Sequence, residues 1–118
     1  MSNLTDKQFE FTRMVAKLIS YAYQKGYKLT FGDAYRDPRV FGIMGENKPY
    51  SYGHTYSCHK IRLAVDFNLF VKKGKRWIYS TDSNDYIPLG LYWESMGGSW
   101  GGRFQDSNHF SIEHDGRK

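Results

Sequence analysis

The sequence predicts a small α+β fold, in which a mostly antiparallel sheet packs against helices on one side. An amphipathic segment near the N-terminus predicts a long helix, because apolar side chains recur along it at intervals of three and four residues. Further along, residues 63–69 alternate between apolar and small or polar side chains, which predicts a strand with one face in the core. Helices and strands that are segregated along the chain are typical of an α+β domain.

The first helix has start and stop signals at both ends. Thr5 is placed to cap it, Gln8 follows three residues later as in a capping box, and Gly26 can end it in a left-handed conformation. The side chains expected to face the core are Phe11, Met14, Val15, Leu18, Ile19 and Ala22. Residues 28–31 then predict a short strand.

The rest of the chain predicts a long irregular stretch and further short elements. Residues 32–57 contain several glycines and prolines, and a connection of this length in a small domain is typically functional or mobile. In the strand at 63–69, Asp66 is expected on the face opposite the apolar side chains. A turn at Gly74 leads into a returning strand at 76–79. A second helix is expected over 85–96, followed by a glycine-rich loop at 97–102 and a last strand at 109–113.

Length and composition indicate one domain, residues 1–118, without a transmembrane segment. The single cysteine, Cys58, excludes an internal disulfide. Seventeen Lys and Arg against twelve Asp and Glu give a net charge of +5, which favours encounter with anionic polymers. The densest basic run, residues 72–76, is interpreted as a solvated hairpin turn, so no nucleic-acid partner is expected.

Two histidines and two aspartates could carry chemistry. His59 lies just before the alternating strand that holds Asp66, and Asp106 precedes His109 by three residues. Two imidazoles and one carboxylate, with a fourth position left to water, are a common ligand set for catalytic zinc. The spacing alone does not decide this, since each residue taken singly is also compatible with a structural or solvent-exposed role.

Three blocks of sequence resemble peptidase family M15, the zinc D-Ala-D-Ala carboxypeptidases and related endolysins. Residues 57–66 read Ser-Cys-His-Lys-Ile-Arg-Leu-Ala-Val-Asp and resemble the signature Ser-x-His-x-x-Gly-x-Ala-x-Asp. Residues 100–110 resemble the second signature, with a carboxylate three residues before a His-Phe pair. Residues 31–36 are similar to the segment that supplies the active-site arginine. The blocks occur in the family order.

The resemblance implies a role for each matching residue. Zinc would be held by His59, Asp66 and His109, and Asp106 would act first as general base and then as general acid. Arg36 would polarise the scissile carbonyl and hold the oxyanion. Ser57 would hydrogen-bond the substrate or a ligand, or would simply cap a local turn.

The nearest branch is that of the phage L-alanyl-D-glutamate endopeptidases, which tend to have Asp where many family carboxypeptidases have Glu, as at Asp106 here. Arg62 stands where the family has glycine, and we interpret it as a surface position or one paired with a carboxylate. A D-Ala-D-Ala carboxypeptidase or dipeptidase is the alternative within enzymes. A non-catalytic wall-binding module stabilised by zinc is the alternative outside them.

The resemblance also implies a fold of the Hedgehog/D-Ala-D-Ala peptidase type and the stem peptide of bacterial peptidoglycan as partner. A monomer is expected, without a separate wall-binding domain, whose role the basic surface could take. Because the start of the chain lacks the layout of a secretory signal, the expected location is the host bacterial cytoplasm, with holin-dependent release to the cell wall.

Four other side chains are weaker candidates for a functional role. His54 is expected in an exposed loop, His114 on the surface, and Cys58 as a buried thiol pointing away from its neighbour His59. Trp100, which glycine follows, is expected either in the core or lining the cleft.

Overall fold

The computed structural model describes residues 3–32 and 62–114, and these form an α+β fold as predicted. The elements, in chain order, are α1 (Leu4–Gln24), β1 (Lys28–Phe31), β2 (Ala64–Lys73), β3 (Arg76–Tyr79), a first 3₁₀ turn (Ser83–Tyr86), α2 (Ile87–Ser95), β4 (Ser99–Trp100), a second 3₁₀ turn (Gly101–Phe104) and β5 (His109–Ser111). Within these residues, no helix is both long and apolar enough to cross a membrane.

Helix α1 forms as its periodicity predicts, but its N-terminal cap differs from the prediction. The side chain of Asn3 accepts a hydrogen bond from the Asp6 amide at 2.8 Å, so the helix begins before Thr5, which lies inside it. Asn is among the best N-cap residues, since its short side chain reaches the free amides of the first turn. Gly26 follows the helix with φ +88°, the left-handed conformation expected of the residue that ends it.

Strand β2 organises the sheet, in which all pairings are antiparallel. The order is β1-β2-β5-β4, and β3 also pairs with β2. Phe70 pairs with both Lys28 of β1 and Tyr79 of β3, so β1 and β3 must lie on opposite edges of β2. The edge away from β1 is therefore shared by β5, beside the first residues of β2, and β3, beside the last.

The two faces of β2 have different surroundings, as the alternation predicts. The odd-numbered residues of the strand face the helices, and Val65, Phe67 and Leu69 are buried in the core with Trp93 of α2. The even-numbered residues face the other way, and we call the surface formed by them and their partners on neighbouring strands the outer face. Asp66 lies on this outer face, which confirms its predicted orientation.

The C-terminal part contains more regular structure than predicted. Residues 97–102, expected as a loop, include β4 and the start of the second 3₁₀ turn. Trp100 lies there with only 5% of its surface exposed, and its indole donates to the Ser107 carbonyl at 2.7 Å. A Cβ at Gly90 or Gly102 would overlap its ring, so both glycines are needed for close packing against the indole. Trp100 is therefore a core residue.

Candidate metal and catalytic site

Asp66 and His109 are brought together by the register between β2 and β5. They are direct partners across the two strands, although 43 residues separate them in sequence. Their side chains leave the sheet on the outer face and are only 12% and 11% exposed. The imidazole Nδ1 of His109 lies 3.1 Å from Oδ1 of Asp66. Two of the three predicted metal ligands therefore share one place in the fold.

The donor atoms of this pair fit a zinc ion. Imidazole nitrogen and carboxylate oxygen bind zinc at about 2.0–2.2 Å, and two corners of a tetrahedron of that size lie roughly 3.4 Å apart. The observed 3.1 Å between Nδ1 and Oδ1 is close to this spacing. The same distance also suits a hydrogen bond from a protonated Nδ1 to the carboxylate, so metal binding would replace that hydrogen bond. In the part of the chain that the structure describes, no three potential metal ligands cluster.

Three predicted site residues, His59, Arg36 and Ser57, lie outside the described residues. The described chain stops at Gly32, which lies near the Asp66–His109 pair, and resumes at Arg62. The Gly32 amide donates to the Asp66 carbonyl at 2.7 Å, and a Cβ on Gly32 would come within 3.1 Å of the Asp66 Cβ.

Asp106 lies one turn before His109 and is held there by backbone hydrogen bonds. Its amide donates to the Gly101 carbonyl at 2.9 Å, and its carbonyl accepts from the His109 amide at 3.1 Å. Gln105 adopts a left-handed conformation with φ +64°, which turns the chain just before Asp106. Strained backbone of this kind is common at functional sites. Asp106 is exposed to solvent.

A cleft of about 240 Å³ lies beside Asp106. Its opposite wall comes from the end of β3 and from the first 3₁₀ turn, through residues such as Tyr79, Ser83 and Tyr86. Ser80, on the same wall, donates its hydroxyl to Asp85 at 2.6 Å. The lining of the cleft is therefore largely polar.

Tyr86 was not predicted as part of this region, yet it fills a gap in the sheet. Between the start of β5 and the end of β3, the Phe67 carbonyl and the Leu69 amide of β2 have no strand partner. The buried phenol of Tyr86 donates to that carbonyl at 3.2 Å and accepts from that amide at 3.0 Å. Burial raises the pKa of Tyr86 above its usual value, so the hydroxyl remains protonated at neutral pH.

Substituting Tyr86 with phenylalanine is therefore expected to lower the free energy of unfolding by about 2 kcal/mol, since two buried backbone groups lose their partner. Urea denaturation of Tyr86→Phe would measure this. Tyr79→Phe, which removes the hydroxyl of a half-exposed side chain, is the matched control and is expected to cost less than about 0.5 kcal/mol. Equal losses in both variants would show that the bridging role of Tyr86 is wrong.

The backbone conformation at Arg62 explains why the family signature has glycine at this position. Its φ is +59°, a left-handed conformation that glycine adopts without steric cost, and its side chain is exposed. The interpretation as a surface position is confirmed, and the backbone conformation gives a physical reason for the glycine of the signature.

Variants of Arg62 should rank by their tolerance of this conformation. Arg62→Gly is expected to change the free energy of unfolding by less than about 1 kcal/mol, because relief of strain offsets the greater freedom of the unfolded chain. Arg62→Val should lose about 1–2 kcal/mol, since a β-branched residue is poorly suited to positive φ. Thermal unfolding of the two variants compares them, and a valine variant as stable as the glycine variant would contradict the explanation.

His114 differs from the expectation of a surface residue. It is half-buried, and its Nδ1 atom is shielded from solvent. It forms an isolated β-bridge after β5. His54 and Cys58 lie outside the described residues.

An α+β fold with an aspartate–histidine pair on its sheet and an exposed aspartate in the adjoining turn is suited to a hydrolase. Residues 51–112, just over half of the chain, match the family model described as D-alanyl-D-alanine carboxypeptidase. The chain belongs to peptidase family M15. At the level of the family it is a peptidoglycan-related peptidase or carboxypeptidase, and peptidases of this family are generally zinc-dependent. No curated protein matches the chain.

Proposed function

We propose that the chain is a zinc-dependent peptidoglycan endopeptidase of the endolysin type, which hydrolyses the bond between L-alanine and D-glutamate in the stem peptide. The contact between Asp66 and His109 carries this proposal, because it brings two zinc-compatible donors together. The exposed Asp106 lies one turn before His109. His59, three residues before the described chain resumes at Arg62, is the proposed third ligand.

Zinc held by these residues would lower the pKa of a water molecule and so supply a nucleophile at neutral pH. Asp106 would accept the proton of the attacking water on its carboxylate and pass it to the nitrogen of the leaving amine as the amide C–N bond breaks. The exposed position of Asp106 at the cleft supports this role. Arg36 would hold the oxygen of the scissile carbonyl as negative charge develops there, and Ser57 would bind the substrate.

Hydrolysis of the terminal D-Ala-D-Ala bond is the second candidate, and the description of the matching family model favours it. The two reactions differ in their products. The endopeptidase releases the peptide from L-alanine, whereas the carboxypeptidase removes only a terminal D-alanine. Digestion of defined muropeptides followed by mass analysis separates them, and release of D-alanine alone would overturn the endopeptidase proposal.

The metal assignment is tested by comparing two histidine variants. His109→Ala is expected to lose stoichiometric zinc and to lower the melting temperature, because metal binding and folding are coupled. His114→Ala is the control and should retain zinc, since His114 is not a proposed ligand. Zinc quantification on the purified proteins decides the point: loss of zinc from the His114 variant, or its retention in the His109 variant, would show that the ligand set is wrong.

A further inference from the structure

The outer face of β2 continues away from the Asp66–His109 pair as a basic and aromatic surface. Because side chains alternate along a strand, Asn68, Phe70 and Lys72 follow Asp66 on the same face. At about 3.3 Å per residue, Lys72 lies roughly 20 Å from Asp66 along the strand. The candidate site and this surface are therefore parts of one continuous sheet face.

Neighbouring strands widen this surface. Tyr79 of β3 is the partner of Phe70, with ring centres 5.7 Å apart, and Trp77 is the partner of Lys72. From β1, Lys28 places its ammonium group 4.6 Å from the centre of the Trp77 ring, and the ammonium of Lys72 lies 5.9 Å from it. We call Lys28, Phe70, Lys72, Trp77 and Tyr79 the outer strip.

The positive charge of the outer strip is not neutralised within the described residues. Lys73, Lys75 and Arg76 add three more exposed cations at the turn that joins β2 to β3. Among residues 3–32 and 62–114, the ion pairs lie elsewhere, and no carboxylate pairs with any of these five cations. Contact with the Trp77 ring orients the ammonium groups of Lys28 and Lys72, which reduces the entropy lost when they bind an anion.

The outer strip also adjoins the cleft beside Asp106. Tyr79 belongs to both, because it is a partner of Phe70 on the sheet and also lines the cleft. The exposed surface is a sheet face with cations spread over it, and in shape it suits an extended chain more than a single small anion.

We propose that the outer strip binds a linear polyanion of the bacterial cell wall, with phosphate groups repeated along the chain, and so holds the wall beside the cleft. This inference rests on the proposed function, because it gives the peptidase a way to remain on its substrate. Repeated negative charge complements the spaced cations, and the exposed rings of Trp77 and Tyr79 can pack against the sugar or polyol units between them.

The test uses the double variant Lys28→Gln/Lys72→Gln in the full chain. The probes are purified cell-wall sacculi that retain their phosphate polymers and matched sacculi stripped of these polymers by hydrofluoric acid. In co-sedimentation at low salt, we expect the double variant to bind intact sacculi about tenfold more weakly than the wild type. The wild type should lose affinity to a similar extent on stripped sacculi, and unchanged affinity for them would overturn the proposal.

The control is Lys7→Gln/Lys17→Gln, which removes the same charge from α1. An equal loss of binding in this control would overturn the proposal, since it would show that net charge alone acts. Duplex DNA is tested in the same way. If the wild type bound DNA more tightly than sacculi, and the Lys28/Lys72 double variant bound DNA more weakly, the proposal would be overturned in favour of a nucleic acid. Muropeptide cleavage by the wild type is measured on the same preparation: its absence would overturn the proposed peptidase function, while co-sedimentation would still decide the role of the outer strip.

Discussion

Asp106→Asn is expected to reduce hydrolysis of peptidoglycan by about 10²–10⁴-fold, the range typical for loss of a general base. An amide cannot accept the proton of the attacking water, but it has nearly the shape of the carboxylate and should leave the backbone hydrogen bonds to Gly101 and His109 intact. Zinc content should therefore remain as in the wild type. The rate of muropeptide cleavage and the zinc bound per chain are the two measurements.

The control for the lost charge is Asp82→Asn. Asp82 is exposed, and it caps the first 3₁₀ turn by accepting from the Asn84 amide, a role that asparagine can also fill. This variant should hydrolyse peptidoglycan at the wild-type rate. Normal cleavage by Asp106→Asn would show that the general base lies elsewhere, and loss of zinc from it would make Asp106 a ligand instead.

Gly101→Ala is expected to have the largest effect on stability, lowering the free energy of unfolding by about 3 kcal/mol. A Cβ at this position would overlap both the Asp106 carbonyl oxygen and the Cβ of His109. Neither can move without shifting the turn or the start of β5, so the variant should also bind zinc more weakly and lose activity. Urea denaturation, zinc affinity and muropeptide cleavage would be measured together.

Gly90→Ala separates the effect on the site from the effect on packing. Its Cβ would overlap the buried ring of Trp100, so this variant should also be destabilised, but no overlap with Asp106 or His109 is involved. Zinc affinity at a temperature where the protein is folded should therefore stay close to that of the wild type. Equal loss of zinc affinity in both variants would mean that the turn at Gly101 has no specific role in placing His109.

Local signals in the sequence were sufficient for most of the secondary structure. The apolar periodicity of α1, the alternation in β2 and the glycine at the β2–β3 turn each depend on neighbouring residues alone, so each could be predicted. The cap of α1 was misassigned because Asn3 and Thr5 are both capping residues two positions apart. The prediction of a loop over residues 97–102 was wrong because two of the glycines that suggest it, Gly98 and Gly102, are needed for close packing against the indole rings of Trp93 and Trp100.

The candidate site could not be predicted from local sequence signals alone. Spacing gives no reason to pair Asp66 with His109 across 43 residues, and only the family resemblance linked them before the register of β2 and β5 did so physically. Tyr86 could not have been found at all, because its role depends on a break between two strands that share one edge of β2. Such a break is a property of the tertiary pairing and has no signal in the residues around the tyrosine.

The alternation of β2 has a consequence for the fidelity of folding. If β2 slipped by one position against β5, Asp66 would turn into the apolar interior and His109 would lose its neighbour. A ligand that needs both side chains can bind only the correctly aligned sheet, so its binding free energy would stabilise that alignment and no other. Metal binding would thus shift the equilibrium toward chains in which β2 and β5 are correctly aligned.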